Sequence, residues 1–352
     1  MIDNTALLQE LLSQNLIALV NAPFLSAVPE PMPAHWSFDR VEGMLLGLAV
    51  GDALGYPTEA VLPSDRLERY GEIRDYLPSP HAGYRPVGVC SDDTQMAFWT
   101  LQNGLADGGL IPEHVAEEFT RHPIFGIGST VRDFIWAYKN QGKTWVQAGQ
   151  PSAGNGAVMR VAPVLIPHLR KPTAALWADA ALAGMITHND PASNACCVAF
   201  IHLLWECLRR QDVPEPLWWV DTFTKAASPL EGRTEYASRI PGNPYRGPLW
   251  KFVDQEVRQA IAEQPTTLEA CERWHSGAYL METMPCVLYI LARYGHDPEE
   301  AVIRAVNDTK DNDTVAAIVG AAVGALHGKA GLPSRWIEGL LGRTGSDDDG
   351  RV

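Results

Sequence analysis

Two short segments carry more carboxylates than local structure needs. Cys90-Ser91-Asp92-Asp93-Thr94-Gln95 and Thr309-Lys310-Asp311-Asn312-Asp313-Thr314 each stand at or just before the start of an apolar helical pattern. Taken singly, either reads as a helix cap, because Ser and Asp accept from free N–H groups and early acidic residues complement the helix dipole. Taken together, Asp92, Asp93, Asp311 and Asp313 exceed what two caps use, and Ser91 and Thr314 add hydroxyl oxygens beside them. Glu59 follows a further apolar pattern, in a loop. If these groups converge their charges repel, and divalent cations are the usual remedy. An all-oxygen donor set suits Mg²⁺ or Mn²⁺, and the number of oxygens suggests a pair of ions. Dispersed caps remain the alternative on spacing alone.

Gly126-Ile127-Gly128-Ser129-Thr130-Val131-Arg132 and the run from Ser152 through Gly154 and Asn155 to Arg160 bring small residues to loops before helices. Their backbone N–H groups could cradle a phosphate, and the same residues also make tight turns. His188, in Thr187-His188-Asn189-Asp190-Pro191, stands at a helix end, where an imidazole serves as a C-terminal cap or as a ligand.

What must position these groups is mostly helix. Helical patterns cover 40–54, 93–106, 112–121, 129–140, 173–187, 192–211, 248–263, 280–294, 298–306 and 313–328, and alternating strand-like runs are few. The expected fold class is all-α. Gly43, Gly47 and Gly51 in one helix, and Gly320, Gly324 and Gly328 in another, recur every four residues and so share a face. Each costs about 1 kcal/mol relative to alanine, which close approach of a second backbone would offset. If the stripes face each other antiparallel, the helix end near Asp52, the loop at Glu59 and the helix start at Asp313 share one pole.

Lys plus Arg number 28 against 42 Asp plus Glu, a formal charge of -14 over 352 residues. Nothing would neutralise phosphates over a broad face, which argues against a nucleic-acid or anionic-membrane surface. No run reaches the roughly 18 to 20 apolar residues of a bilayer span. Sparse cysteines without a CxxC pair and an N-terminus without a basic leader point to a cytoplasmic setting with no zinc site or disulfide framework. Residues 1–37 form an extension: a stripe including Leu7, Leu8, Leu11 and Leu12, then a connector with Pro23, Pro29, Pro31 and Pro33. It either packs on its own domain or reaches a partner as an arm. The end, 343–352, reads as an acidic disordered tail.

Segments ordered along the chain carry a resemblance: GMLLGLAVGDALGYPTEA (43–60), YGEIRDY (70–76), SDDTQM (91–96), GIGSTVR (126–132), GNGAVMRVAP (154–163), ITHNDP (186–191), METMPCVLYIL (281–291) and AVNDTKDNDTVAAIVGAAVGALHG (305–328). They resemble the ADP-ribosylglycohydrolase family. The resemblance implies an all-α orthogonal helical bundle around a binuclear metal site, spanning 38–342. It implies hydrolysis of ADP-ribose from modified protein side chains, arginine foremost, with serine the other linkage. Ser91, Asp92 and Asp93 match the family's first metal-binding segment, and Asp311, Asp313 and Thr314 its second, for two Mg²⁺ with Mn²⁺ as substitute. Gly128, Ser129, Ser152, Gly154, Asn155 and His188 match positions that hold ribose and diphosphate.

Glu59 matches the acidic residue ending the first motif and is the candidate for proton transfer, with Asp93 the other candidate base. An aspartate that the nitrogenase-related members use as a base is Gly126 here, and the glycine before the second metal motif is Lys310. The partner implied is an ADP-ribosylated protein. In this family the extension suggests a second partner, an ADP-ribosyltransferase toxin whose active site it would cover, giving immunity by catalysis and by obstruction. The rival readings are a catalytically silent ADP-ribose-binding or transferase-blocking protein and a two-metal phosphohydrolase.

Overall fold

The computed structural model describes residues 3–34 and 36–341; the expected acidic tail at 343–352 lies outside them. In chain order the helices are α1 (Thr5–Ser13), α2 (Asp39–Gly55), α3 (Pro63–Tyr70), α4 (Asp92–Asp107), α5 (Pro112–Glu118), α6 (Ser129–Asn140), α7 (Trp145–Ala148), α8 (Ala175–Met185), α9 (Pro191–Arg209), α10 (Pro216–Glu231), α11 (Leu249–Glu263), α12 (Thr267–Arg273), α13 (Leu280–Tyr294), α14 (Pro298–Asp308), α15 (Asn312–His327) and α16 (Ser334–Gly339). Strand is confined, among the described residues, to two-residue pairs. Gly88–Val89 lies parallel to Leu340–Leu341, and Tyr236–Ala237 lies antiparallel to Arg246–Gly247. The fold is all-α.

The glycine stripes do face each other. A Cβ on Gly47 would overlap the carbonyl of Gly320, one on Gly51 the carbonyl of Ala316, and one on Gly324 the carbonyl of Gly43. The pairing of early with late residues makes α2 and α15 antiparallel. Gly55 extends the stripe by one further step, against the backbone of Asn312 and Asp313. Gly328 departs from it: its φ of +78° ends α15 in the left-handed region, and a Cβ there would meet Asp39.

Around this pair lie α9, α13 and α14, with α8 and α10 beyond them. By length and composition α9 could cross a membrane, contrary to the expectation that no run suffices, yet 89% of its apolar window is buried inside the protein. Packed against α8, α10 and α15, it is a core helix. The helical pattern also missed α10. Pro216 opens that helix where its absent N–H costs nothing, but Pro229 inside it and the Trp218–Trp219 pair obscure the period.

The N-terminal segment is seated on the domain. Leu8, Leu11, Ile17 and Leu25 are buried. Asn4 Nδ2 donates to Leu110 O at 2.8 Å and to Asp179 Oδ1 at 2.6 Å, and Asp179 pairs through Oδ2 with buried His168 at 2.8 Å. Proline lacks an N–H, so the connector offers more acceptors than donors. Core side chains use them: Trp177 Nε1 donates to Ala27 O at 2.7 Å and Trp205 Nε1 to Glu30 O at 2.9 Å.

Candidate functional site

The site lies where α2 ends and where α4 and α15 begin. Ser91 is the N-cap residue of α4 and Asp311 that of α15, yet neither side chain makes a cap hydrogen bond. For α4 the work is done by Asp52, from α2. Its fully buried carboxylate accepts from Ser91 N (3.0 and 2.9 Å), Ser91 Oγ (2.7 Å), Thr94 N (3.0 Å) and Thr94 Oγ1 (2.6 Å). Asp311 instead accepts from Asn155 Nδ2 at 2.5 Å. Relieved of capping, the acidic side chains turn toward one another, which decides against dispersed caps.

Asp93 accepts through Oδ2 from Ser91 Oγ at 3.2 Å and Thr314 Oγ1 at 3.4 Å, while its buried Oδ1 has no partner. Carboxylate oxygens of Asp52, Asp93 and Asp313 lie within 4.8 Å of one another, as do those of Glu59, Asp311 and Asp313. Asp313 belongs to both groups. This is a buried acidic cluster able to ligate a divalent metal: its donors are all oxygen, and a buried carboxylate oxygen without a hydrogen-bond donor is an open ligand position. Asp92 stands outside both groups, in the cavity wall.

A buried arginine fixes the loops that hold these groups. Arg66, from α3, donates to Thr58 Oγ1 and to the carbonyls of Thr58, Val61, Val306 and Thr309. It thereby joins the turn bearing Glu59 to the linker bearing Asp311. Sequence reasoning missed it, since in PSDRLERY nothing distinguishes Arg66 from the solvent-facing charges beside it. It also left Asp52 as a mere marker of the pole.

Above the carboxylates is a cavity of about 150 Å³ whose lining includes Glu59, Asp92, Gly128, Asn155, His188 and Asp313. Gly126, Ser129, Gly154, Asp311 and Thr314 line it too, while Ser91 and Asp93 lie buried beneath. Gly126 has φ +78°, and a Cβ there would stand 3.1 Å from Asp92 Oδ1, so the loop passes closely over the carboxylates. Gly154 and Gly156 leave room for the His188 ring, whose Nε2 would lie 3.3 Å from a Cβ on either. Ser152 lines an adjoining cleft of about 470 Å³ together with Ser129, Gly154 and Tyr279. There the Arg239 guanidinium lies 4.2 Å from the Tyr279 ring centroid. The Lys310 side chain is exposed, while its backbone N–H donates to Ser276 Oγ and its carbonyl accepts from Ala60 N.

Burial and mutual repulsion push the whole cluster toward protonation. Desolvation first, then Asp311 and Asp52, raises Glu59 to about 7. Desolvation, then Asp52 and Glu59, raises Asp92 to about 8, and Asp93 and Asp313 also stand well above the usual carboxylate range, burial being the largest cause. Asp311 rises by burial to about 6, the Asn155 hydrogen bond opposing. Burial, reinforced by the Arg160 charge, lowers His188 to about 3 and keeps its imidazole neutral.

The model of the ADP-ribosylglycohydrolase family matches residues 33–349. The ADP-ribosyl-[dinitrogen reductase] glycohydrolase of Rhodospirillum rubrum is 28% identical over 308 residues, covering 86% of this chain and 90% of that protein. The ADP-ribosylarginine hydrolase Tri1 of Serratia proteamaculans is 27% identical over 329 residues, covering 90% and 80%. A solved structure, described as an ADP-ribosylglycohydrolase-related protein complex, superposes with a TM-score of 0.62 at 26% identity, covering 86% of this chain and 92% of that one. With a family model spanning all the acidic and glycine-rich segments of the site, the chain belongs to the ADP-ribosylglycohydrolase family.

Proposed function

We propose that the protein hydrolyses the bond between the distal ribose of ADP-ribose and a protein side chain, arginine being the favoured linkage, at a binuclear Mg²⁺ site that also accepts Mn²⁺. The observation that carries this reading is the pair of carboxylate groups sharing Asp313 beneath a glycine-walled cavity. The arginine linkage draws support from relatives named ADP-ribosylarginine hydrolase in Serratia proteamaculans and Pseudomonas putida. The ions, when bound, supply charge neutralisation and Lewis acidity. Asp93, Asp311 and Asp313 would hold them, with Asp52, Ser91 and Thr314 fixing the geometry, Asp92 approaching from the wall and Glu59 beside Asp311 and Asp313 left for proton transfer.

The chain's own groups account for the rest. His188 and the backbone of Gly128, Ser129 and Gly154 face the space a diphosphate would take, and the adjoining cleft by Ser152 suits the adenosine end. A guanidine nitrogen leaves readily only when it departs protonated. Glu59, open to the cavity and flanked by Asp311 and Asp313, can give that proton and take one from the attacking water. Gly126 has no side chain for the task, and Asp93 is shut beneath the floor, which favours Glu59 over Asp93. Removing ADP-ribose undoes the product of any ADP-ribosyltransferase, so we extend the proposal to protection against such a toxin. The proposed setting is the cytoplasm, which suits six buried cysteine thiols.

The test is mass spectrometry of products from arginine-linked and serine-linked ADP-ribosyl peptides, with and without Mg²⁺. Free ADP-ribose and unmodified arginine, formed only with metal, are expected. Release of AMP or phosphate would replace this reading with phosphohydrolysis, and metal-bound protein without turnover would leave a binding protein.

A further inference from the structure

Arg160 is fully buried, and its Nε and Nη1 have no hydrogen-bond partner. A buried cation with unmet donors is costly, so its position needs a compensating reason. Its guanidinium lies 4.7 Å from the Phe119 ring centroid, and Nη2 donates to Ala183 O at 3.1 Å and to Thr187 Oγ1 at 2.8 Å. Thr187 Oγ1 in turn lies 2.8 Å from His188 Nδ1. The Nε2 edge of the same ring faces Gly154 and Gly156 in the cavity wall.

The protons along this line have one consistent arrangement. A guanidinium only donates, so Thr187 Oγ1 accepts from Arg160. Among the described residues that hydroxyl has no third partner, and its own proton is satisfied only by donation to Nδ1. Were Nδ1 protonated, the threonine would accept twice and its proton would be stranded in a wholly buried place. Nδ1 is therefore the acceptor, and the ring's single proton sits on Nε2.

We infer that Arg160, acting through the Thr187 hydroxyl, is a positioning residue that holds His188 as the Nε2–H tautomer, a neutral donor fixed toward an anionic oxygen of the ligand. The ligand in this statement rests on the ADP-ribose reading; the tautomer does not. The positive charge beside the ring opposes a second proton, so the donor is gained without making His188 an acid. A histidine left free would divide between two tautomers, one of which turns a lone pair to the phosphate.

The test uses the full chain with histidine labelled with ¹⁵N. In the wild type, one pyrrole-like Nε2 and one pyridine-like Nδ1 are expected for His188, and a protonated Nδ1 would overturn the inference. Arg160→Met removes a buried cation and risks unfolding, so Thr187 carries the comparison. Thr187→Val deletes the hydroxyl at similar volume and should mix the tautomers and weaken ADP-ribose binding by about tenfold or more, the value of one hydrogen bond to a charged group. Thr187→Ser, which retains the hydroxyl, should restore both the spectrum and the affinity. A valine variant with wild-type spectrum and affinity would also overturn the inference. If the wild type shows the expected tautomer but binds no ADP-ribose, the relay stands and the functional reading falls.

Discussion

Glu59 and Asp313 separate proton transfer from cation binding, residue by residue. Glu59→Gln keeps the shape of the side chain and removes its proton transfer, so hydrolysis should fall about a hundredfold to ten-thousandfold while ADP-ribose binding persists. Wild-type turnover would remove Glu59 from the mechanism. Asp313 contributes to both carboxylate groups, so Asp313→Asn should lower Mg²⁺ affinity and hydrolysis together and leave the fold intact, as read by calorimetry and circular dichroism. The cluster also predicts a pH dependence. Glu59, Asp92 and Asp311 bind protons more tightly folded than unfolded, with folded values of about 7, 8 and 6, so the folded state retains protons that the unfolded chain has released. In chelator, the cluster's contribution to stability should be fully present below about pH 3.8 and decline up to pH 8, and saturating Mg²⁺ should flatten that decline. A melting temperature that does not fall over that range without metal would show that the carboxylates are not crowded. The candidates at this scale were legible because unusual residue types recur in short motifs. Asp52 was not, since its bonds to Ser91 span 39 residues and a lone aspartate in an apolar helix has no local sign of its partners.

At the level of elements, the α2–α15 seam was readable from glycines spaced by four, because that spacing fixes a face whatever the surroundings. The seam predicts opposite outcomes for one substitution at different places. Gly47→Ala drives a methyl into the carbonyl of Gly320, and overpacking of this kind costs about 1–3 kcal/mol. Both helices end at the carboxylates, so activity should fall with stability. Gly104→Ala in α4, where nothing lies within 4 Å, should instead gain up to about 1 kcal/mol. Urea unfolding of the variants checks both, and an unharmed Gly47→Ala protein would mean the helices can separate. The period of α10 was lost to its prolines and paired tryptophans. The connector after α1 was expected as extended chain, but Pro23–Ser26 form a 3-10 turn within it, and its tryptophan donors come from α8 and α9, beyond any local window.

Over the whole molecule, the fold class followed from composition and period, whereas the seating of the N-terminal segment depended on contacts that no local pattern encodes. An arm free to cover a transferase would have to leave the pockets of Leu8, Leu11 and Leu25, each leucine being worth about 1.5–3 kcal/mol when buried. Deleting residues 1–35 should therefore lower the melting temperature by many degrees. If the truncated protein is equally stable and still hydrolyses substrate but loses a transferase partner, the segment serves as an arm. The seam has another consequence, in time. The α2 helix emerges long before its partner α15, so a growing chain holds a bare glycine face and half a set of carboxylates until α15 has been made. Closing so long a loop is slow, and partial chains cannot assemble the cluster. A ribosome that stalls before α15 thus releases a product that is inert, rather than a fragment with loose hydrolytic activity.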